Sequence, residues 1–262
     1  MIAAVRAELV KLLRLRVIAV AAAATAAFAV GSAAIIVLSA EPAGSGSSAR
    51  GVTVASLSDA GGGTDVFATA ASFAGTFLFV VFVGSVAIEF SRGTFRTMLL
   101  QQPRRIRLLA GKMAALLAFS AAVLAVAEAL TWVAARLIAP SQGIETGRWL
   151  SAEGVGQAFA DYGAVLFWLT GYALLGMTLA VVVRSVPVAL AIGIAWAGPF
   201  EHLLQDAWEP AQRVFPGLLL EAFVAGGTPE VGAARAFATV AAYLAVAAAV
   251  AATVVSRRDV TA

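Results

Sequence analysis

Residues 89–112 read EFSRGTFRTMLLQQPRRIRLLAGK, a stretch rich in basic residues that separates two long apolar runs. The basic residues in it are Arg92, Arg96, Arg104, Arg105, Arg107 and Lys112. In membrane proteins, Lys and Arg next to membrane-spanning helices are concentrated on the cytoplasmic side. If the flanking runs span a bilayer, this stretch is therefore cytoplasmic.

The composition of the whole chain favours a membrane protein. Of the 262 residues, 61% are hydrophobic and 13% are charged, whereas soluble domains have about 45–50% and about 25%. The formal net charge is +3, but the charges lie at the ends of apolar runs and not along one polar face. This distribution argues against a nucleic-acid partner and for contact with membrane lipid. The absence of cysteine excludes disulfides and thiolate sites.

Six apolar runs are candidates for membrane spans. They are Val17–Ala40, Val66–Phe90, Leu108–Ile138, Phe159–Val183, Val186–Phe200 and Ala233–Val255. A hydrocarbon core about 30 Å thick needs about 20 helical residues, so the fifth run is short. The sequence therefore predicts one transmembrane domain over residues 1–262. We expect an all-α, polytopic integral membrane protein with six transmembrane helices, a short cytoplasmic helix and a broken or re-entrant segment before the last span.

An even number of spans places both termini on the same side of the membrane. With the termini in the cytoplasm, most of the 18 Lys and Arg residues are cytoplasmic, as the distribution of basic residues in membrane proteins requires. We expect a multi-pass protein of a bacterial plasma membrane. Residues 1–16 alternate apolar and basic positions at helical spacing, which predicts a helix lying in the membrane interface.

The basic stretch itself predicts a short helix. Gly93-Thr94 can end the second span and cap a helix over Phe95–Gln102, which Pro103 then terminates. Within it, Phe95, Met98 and Leu99 follow the i, i+3, i+4 spacing of an apolar face that can dock in a partner's groove. The alternative is an ordinary basic loop bound to anionic lipid headgroups.

Two patterns in this stretch resemble a known family. They are Glu89-x-x-x-Gly93-Thr94-x-Arg96 and Pro103-Arg104-Arg105-x-Arg107-Leu108-Leu109-x-Gly111-Lys112. Together they resemble the intracellular coupling segment, here residues 91–107, of ABC transporter permeases of the type-2 export class. Weaker likenesses to the ends of that family are Glu8-x-x-Lys11 and Ser256-Arg257-Arg258.

The resemblance implies a membrane permease subunit of an ATP-driven exporter, with no enzymatic activity of its own. Such a subunit forms the substrate pathway as a homodimer or heterodimer and is driven by a separate cytosolic ABC ATPase, which binds ATP and Mg. The residues that the resemblance assigns to ATPase coupling are Glu89, Gly93, Thr94, Phe95, Arg96, Met98, Leu99, Pro103, Arg104 and Arg105. We expect Glu89 to pair with Arg92, with Arg96 or with an arginine of the ATPase.

The chain carries no nucleotide-binding loop. Such a loop has a glycine five positions before Gly-Lys and a Ser or Thr after it, but Gly111-Lys112 is preceded there by Ile106 and followed by Met113. We therefore expect no cofactor on this chain. With one histidine and no cysteine, we also predict no catalytic and no metal-binding residues.

Residues 201–232 follow the short fifth run and contain apolar pieces too short to span a bilayer. We expect external or re-entrant helices here, since broken helices at membrane depth occur where they line a cavity. An interfacial external loop is the alternative. His202 is interpreted as a solvated loop residue, and the Gly/Ser-rich residues 44–64 are predicted to form a flexible external linker.

Glu128 and Trp168 are candidates for the substrate path. Glu128 is the one acid deep inside a predicted span, and such carboxylates are costly unless they face water or a partner. It could equally be a structural hydrogen-bonding residue. The alternative function for the whole chain is a polytopic membrane protein without ATP coupling, either a secondary transporter or an intramembrane enzyme.

Overall fold

The computed structural model of the protein describes residues 2–41, 52–94, 104–196 and 200–257. These residues form helices joined by short turns, and no β-strand occurs among them. The all-α prediction is therefore confirmed for the described part of the chain.

Ten α-helices occur in the described ranges. In chain order they are α1 (Ile2–Leu12), α2 (Leu15–Leu38), α3 (Val54–Ser58), α4 (Gly62–Ser91), α5 (Arg105–Ile138), α6 (Ala152–Val183), α7 (Val186–Ala195), α8 (Glu201–Ala207), α9 (Pro216–Val224) and α10 (Ala233–Arg257). Short 3₁₀ turns follow α5, precede α6 and separate α8 from α9.

Four helices of the described residues are long and apolar enough to cross a membrane: α2, α5, α6 and α10. This is the pattern of a helical multi-pass membrane protein. The number differs from the six spans that hydropathy predicts. Of the fifth run, Val186–Ala195 form the ten-residue α7, and residues 197–199 lie outside the described residues. α4 has 30 residues, but among the described residues its apolar helical segment is the shorter stretch Phe79–Glu89.

The amino-terminal segment is split between two helices. α1 ends at Leu12 and α2 begins at Leu15, with Arg14 in an extended conformation between them. The helix predicted for residues 1–16 is thus shorter, and the first apolar helix begins two residues before Val17. Extended backbone at Arg14 cannot continue a helix, and for this reason α1 and α2 are separate helices.

The chain divides into two compact units, each built from several chain segments. One unit comprises Leu12–Phe73 and Phe119–Leu166. Its core combines the last turns of α2, α3, the start of α4 and the end of α5 with Trp149 from the following turn. The Trp149 indole donates a hydrogen bond of 2.9 Å to the Leu57 carbonyl, which fixes α3 against this core.

The prediction of a flexible linker over residues 44–64 is wrong for its described part, residues 52–64. Thr53 and Ser56 form a reciprocal capping box that starts α3, and such caps stabilise short helices. Gly63 lies against two indoles, where a Cβ would come within 2.8 Å of Trp132 and Trp149. The glycine here allows close packing, which composition alone does not distinguish from linker flexibility.

The other unit comprises Met1–Lys11, Ala74–Ala118 and Phe167–Ala262. Trp168, Leu219 and Leu220 are fully buried in it. α9 lies against α6 at Gly171, where a Cβ would come within 2.8 Å of Leu220. The rings of Phe167, Phe223 and Phe237 meet at 4.8–5.5 Å, which joins α9 to both α6 and α10.

Candidate functional site

Four charged side chains meet within this second unit. They are Glu8 and Lys11 of α1, Glu89 near the end of α4 and Lys112 near the start of α5. Glu89 and Lys112 are the first and last residues of the basic stretch at residues 89–112. We call these four residues the ion-pair ring.

The ring is closed by four hydrogen-bonded ion pairs. Lys112 Nζ donates to Glu8 Oε1 at 2.7 Å and to Glu89 Oε1 at 2.9 Å. Lys11 Nζ donates to Glu8 Oε2 at 2.9 Å and to Glu89 Oε1 at 3.3 Å. Each acid therefore contacts both lysines, and charge-assisted bonds of this length are the stronger kind. Three helices, α1, α4 and α5, are joined through one set of contacts.

Because three of the four charged side chains are largely buried, they need these ion-pair contacts to remain charged. The side chain of Lys112 is 6% exposed, that of Glu8 9% and that of Glu89 12%, whereas Lys11 is 45% exposed. A buried charge that loses its partner is strongly destabilising, because its desolvation is then uncompensated. Lys112 is thus the central cation of the ring, and Lys11 closes it from the solvent side.

The electrostatics keep Glu8 and Lys11 ionised. Burial alone would raise the pKa of Glu8, but hydrogen bonds from Lys112 and Lys11 outweigh it and hold that pKa below its ordinary value of 4.5. Burial alone would lower the pKa of Lys11, but its hydrogen bond to Glu8 and the charge of Glu89 raise it above 10.5. Both shifts favour the charged forms.

The local sequence explains why these side chains point inward. Ala4 and Glu8 are the buried residues of α1 and stand four positions apart, so both lie on one helical face. Lys112 lies among Leu108, Leu109 and Met113, which are also buried. The packed faces of α1 and α5 are therefore apolar except for the two residues that pair with each other.

The cationic partners of Glu89 differ from those expected from the sequence. In the structure Glu89 pairs with Lys11 and Lys112, whereas Arg92, Arg96 or an arginine of the ATPase was expected. Arg92 is exposed, and Arg96 lies outside the described residues. The other carboxylate oxygen, Glu89 Oε2, is buried and has no hydrogen-bond partner within the described part of the chain.

Gly93 and Thr94 end α4. Gly93 has a φ of 67°, a left-handed conformation that glycine adopts without steric cost and that commonly terminates helices. The Thr94 hydroxyl donates a hydrogen bond of 3.2 Å to the Glu89 carbonyl, one of the last acceptors of the helix. The pair thus interrupts the helix, as predicted, and Thr94 caps the end of α4.

Arg105 holds the other end of the basic stretch. Its guanidinium donates a hydrogen bond of 3.3 Å to the Val255 carbonyl in the last turn of α10, where carbonyl groups have no partner within the helix. A cation there also interacts favourably with the helix dipole. Arg104, the neighbouring residue, is exposed.

Several residues predicted to take part in coupling cannot be placed. Phe95, Arg96, Met98, Leu99 and Pro103 lie outside the described residues, and so does the predicted helix over 95–102. For the basic stretch, the structure therefore gives the two ends and their contacts. It brings Glu89 into the ion-pair ring, places Gly93 and Thr94 at the end of α4, and joins Arg105 to α10.

The two candidates for a substrate path have different surroundings. Glu128 is partly buried on α5, and its Oε1 is buried without a hydrogen-bond partner among the described residues. Trp168 is fully buried on α6 and packs edge-to-face against Tyr172 with ring centroids 4.9 Å apart. Trp168 is thus part of the packed core in this structure, and its indole Nε1, like Glu128 Oε1, is buried without a hydrogen-bond partner among the described residues.

Sequence reasoning missed the burial of four charged residues, Glu8, Lys112, Asp161 and Glu201. Lys112 was counted only as a basic residue of the cytoplasmic stretch, although its apolar neighbours at helical spacing are a signal of burial. Asp161 lies near the start of the predicted run Phe159–Val183 and was not counted among the acids deep inside a span. α6 in fact begins at Ala152, and Asp161 is buried in it with a hydrogen bond of 2.8 Å from Gln157.

The contacts of the ion-pair ring can hold α1, α4 and α5 together. Its two acids and two lysines neutralise one another, and no cluster of three or more metal-ligating side chains occurs among the described residues. No protein-family model, curated protein or solved structure matches the chain. The interpretation of the site therefore depends on the residues and contacts described above.

Proposed function

We propose that the chain is the membrane-spanning permease subunit of an ATP-driven exporter of the ABC type-2 class. Two such subunits form the substrate pathway, and a separate cytosolic ATPase binds ATP and Mg. The observation that carries the proposal is the ion-pair ring, because it joins both flanks of the predicted coupling segment to the amino-terminal helix.

The contacts suit transmission of movement from the segment into the membrane helices. Glu89 lies at the end of α4 and Lys112 near the start of α5, and both contact Glu8 or Lys11 of α1. Arg105 adds a contact to α10. A displacement of the segment by a docked partner would therefore reach four helices through short polar contacts. Packed elements of this kind move as units and are not deformed gradually.

The six-span arrangement is part of the proposal. It adds α4 and the α7 region to the four long helices. α4 has 30 residues, about 45 Å as a helix and more than a bilayer core requires. The α7 region would supply the broken fifth span, and the short helices α8 and α9 would follow it on the external side.

A secondary transporter is the second candidate, and buried carboxylates favour it. Glu128 and Asp161 each have a carboxylate oxygen that is buried without a hydrogen-bond partner among the described residues. Acidic residues inside membrane helices commonly bind the coupling ion or proton of transporters. Replacement of both by their amides would abolish transport by such a protein even when ATP is supplied.

Co-purification of ATPase activity tests the proposal. Mg-dependent ATP hydrolysis should accompany the affinity-tagged chain when it is isolated from its native membranes. Phe95→Asp together with Met98→Asp should abolish this activity, because the two charges would remove the predicted apolar docking face. Thr97→Asp together with Gln101→Asp adds the same charge to the opposite face of the predicted helix and serves as the matched control.

The outcomes separate the two candidates. Loss of ATPase activity in the first double variant but not in the second supports ATP coupling through this segment. Retention of the activity in both variants rules out the docking face. Transport that persists without any ATPase and requires Glu128 or Asp161 would establish the secondary transporter instead.

A further inference from the structure

Helix α8 is attached to its unit through a buried acid. Glu201 is the only buried residue of this seven-residue helix, at 2% exposure. The other side chains of α8 are partly or fully exposed, including Leu203 at 66%. Short amphipathic helices normally dock through apolar residues, whereas the buried residue of α8 is a carboxylic acid. Phe200 and Trp208, which flank the helix, add contacts to Phe215 with ring centroids 6.4 and 6.0 Å apart.

Glu201 contacts the amino terminus of α9. Its Oε2 accepts a hydrogen bond of 3.0 Å from the Leu218 backbone N–H, and the Gly217 N–H and the Trp196 indole are further donors. These two amides belong to the first turn of α9, where no intrahelical acceptor is available. Pro216, the first residue of the helix, has no N–H, so Glu201 satisfies the next two amides of that turn.

The space around this contact is closed. A Cβ at Gly217 would overlap Glu201 Oε2 and come 3.0 Å from the Tyr172 hydroxyl of α6. α9 itself is fixed by Leu219 and Leu220, both fully buried, and by the aromatic contacts to α6 and α10. α9 is therefore the anchored partner, and α8 is the element that Glu201 holds in place.

The charged and titratable groups facing Glu201 come from each neighbouring helix. Tyr172 of α6 presents its hydroxyl, and Glu221 of α9 presents a second carboxylate. His202 of α8 lies 3.2 Å from Glu221 Oε2, and the uncharged Trp196 follows the end of α7. Burial disfavours ionised Glu201, and the charge of Glu221 adds to this effect. The hydrogen bonds from Leu218, Trp196 and Gly217 favour the ionised form, but burial outweighs them and the protonated acid is favoured.

We propose that Glu201 is a proton-binding site and that the proton it takes up holds α8 against the amino terminus of α9. The protonated group keeps an acceptor for the α9 amides and is not repelled by Glu221. Loss of the proton leaves two negative charges close together in a buried site and weakens the contact. Burial raises the pKa of Glu201 to about 7, which places the change near neutral pH. The inference concerns this chain alone and does not require ATP coupling.

Spin labelling of α8 tests the proposal. The chain has no cysteine, so Leu203→Cys gives one labelled position on the exposed face of α8. In the full-length protein in lipid nanodiscs, the label should be immobile at pH 5.5 and become mobile as the pH rises through about 7. In infrared difference spectra between the native chain and Glu201→Gln, the carbonyl band of one protonated carboxyl group should disappear over the same range.

Three further substitutions identify the titrating group. Glu201→Gln should remove both transitions and keep the label immobile at every pH, because the amide cannot ionise. Glu221→Gln should move both transitions to lower pH, since it removes the neighbouring negative charge. His202→Gln should retain them, although the midpoint can move. Transitions that persist in Glu201→Gln would overturn the proposal, and so would transitions that vanish in His202→Gln. The proposal would also be wrong if the mobility of the label in the otherwise native chain does not change with pH.

Discussion

Lys112 Nζ lies 2.7 Å from Glu8 Oε1, although the two residues are 104 positions apart in the chain. Glu8 belongs to the first helix, and Lys112, the last residue of the basic stretch, lies near the start of α5. Their contact fixes the amino-terminal helix to the start of α5. Because both side chains are buried, neither helix can move away without exposing or isolating a charge.

The two lysines of the ring should differ in their importance for stability. Lys112→Met leaves Glu8 and Glu89 buried near each other without their central cation, and we expect a loss of about 3–5 kcal/mol in unfolding free energy. Lys11→Met removes a half-exposed cation, for which we expect at most about 1 kcal/mol. Unfolding of the detergent-solubilised protein by added SDS would measure both. Equal losses would contradict the central position of Lys112.

Two adjacent arginines offer a second comparison. Arg105→Ala removes the hydrogen bond to the last turn of α10, and we expect a loss of about 1–2 kcal/mol and faster amide hydrogen exchange in that turn. Arg104→Ala, at an exposed position, should change stability by less than about 0.5 kcal/mol. If hydrogen exchange near Val255 is the same in both variants, Arg105 does not stabilise the end of α10.

Hydropathy predicted the long helices well because the length of an apolar run largely decides whether it forms a membrane helix. α2 and α5 begin within three residues of the predicted runs. It failed where polar residues continue a helix beyond the apolar run, as at the start of α6, which begins at Ala152 and not at Phe159. The glycines near α3 were misread because flexibility and close packing require the same residue.

The polar contacts could not be predicted in the same way. Glu89 was expected to pair with an arginine a few positions away, because a single sequence reveals only local pairs. In the structure its partners are 78 and 23 positions away. The sequence predicted the position of Glu89 at the end of its helix and the break at Gly93-Thr94. This was possible because glycine and threonine end helices through their effect on the conformation and hydrogen bonds of the local backbone. Which lysine reaches Glu89 depends on how α1, α4 and α5 pack.

Glu89→Gln should separate ATP hydrolysis from transport. The amide removes the negative charge that faces Lys112 and Lys11, while Lys112 keeps Glu8 as a partner, so folding should be largely retained. In the complex reconstituted with its ATPase, we expect hydrolysis to continue but to lose its stimulation by substrate. Glu145→Gln, at an exposed position, is the control. Unchanged stimulation in Glu89→Gln would show that this ion pair does not transmit coupling.

Stability should fall as the pH rises through the range in which Glu201 ionises. Its pKa is raised in the folded chain from 4.5 to about 7, so the folded state binds more protons than the unfolded state in this interval, and deprotonation favours unfolding. The loss should amount to about 3 kcal/mol between pH 4.5 and pH 7. Glu201→Gln should flatten this slope, whereas Glu153→Gln, at an exposed position, should leave it unchanged. A slope that survives in Glu201→Gln would assign it to another group.

Cysteine accessibility in intact cells should establish the topology on which the proposed function depends. The native chain contains no cysteine, so each introduced thiol is the only reactive site. With both termini cytoplasmic, cysteines at Ser47 and Gln142 should react with an impermeant maleimide from outside, and cysteines at Gln101 and Thr261 should react only after permeabilisation.

The decisive position is Ser185, between α6 and α7. It is preferable to Arg184, whose φ of 56° disfavours most side chains. If α6 crosses the membrane as proposed, Ser185→Cys is cytoplasmic and reacts only in permeabilised cells. A cysteine at Gln205 should then be external or shielded, because the six-span arrangement requires the chain to reach the outer side again before α10 returns to the cytoplasm. External labelling at position 185 would mean that α6 does not cross in this direction, and the six-span exporter would have to be abandoned.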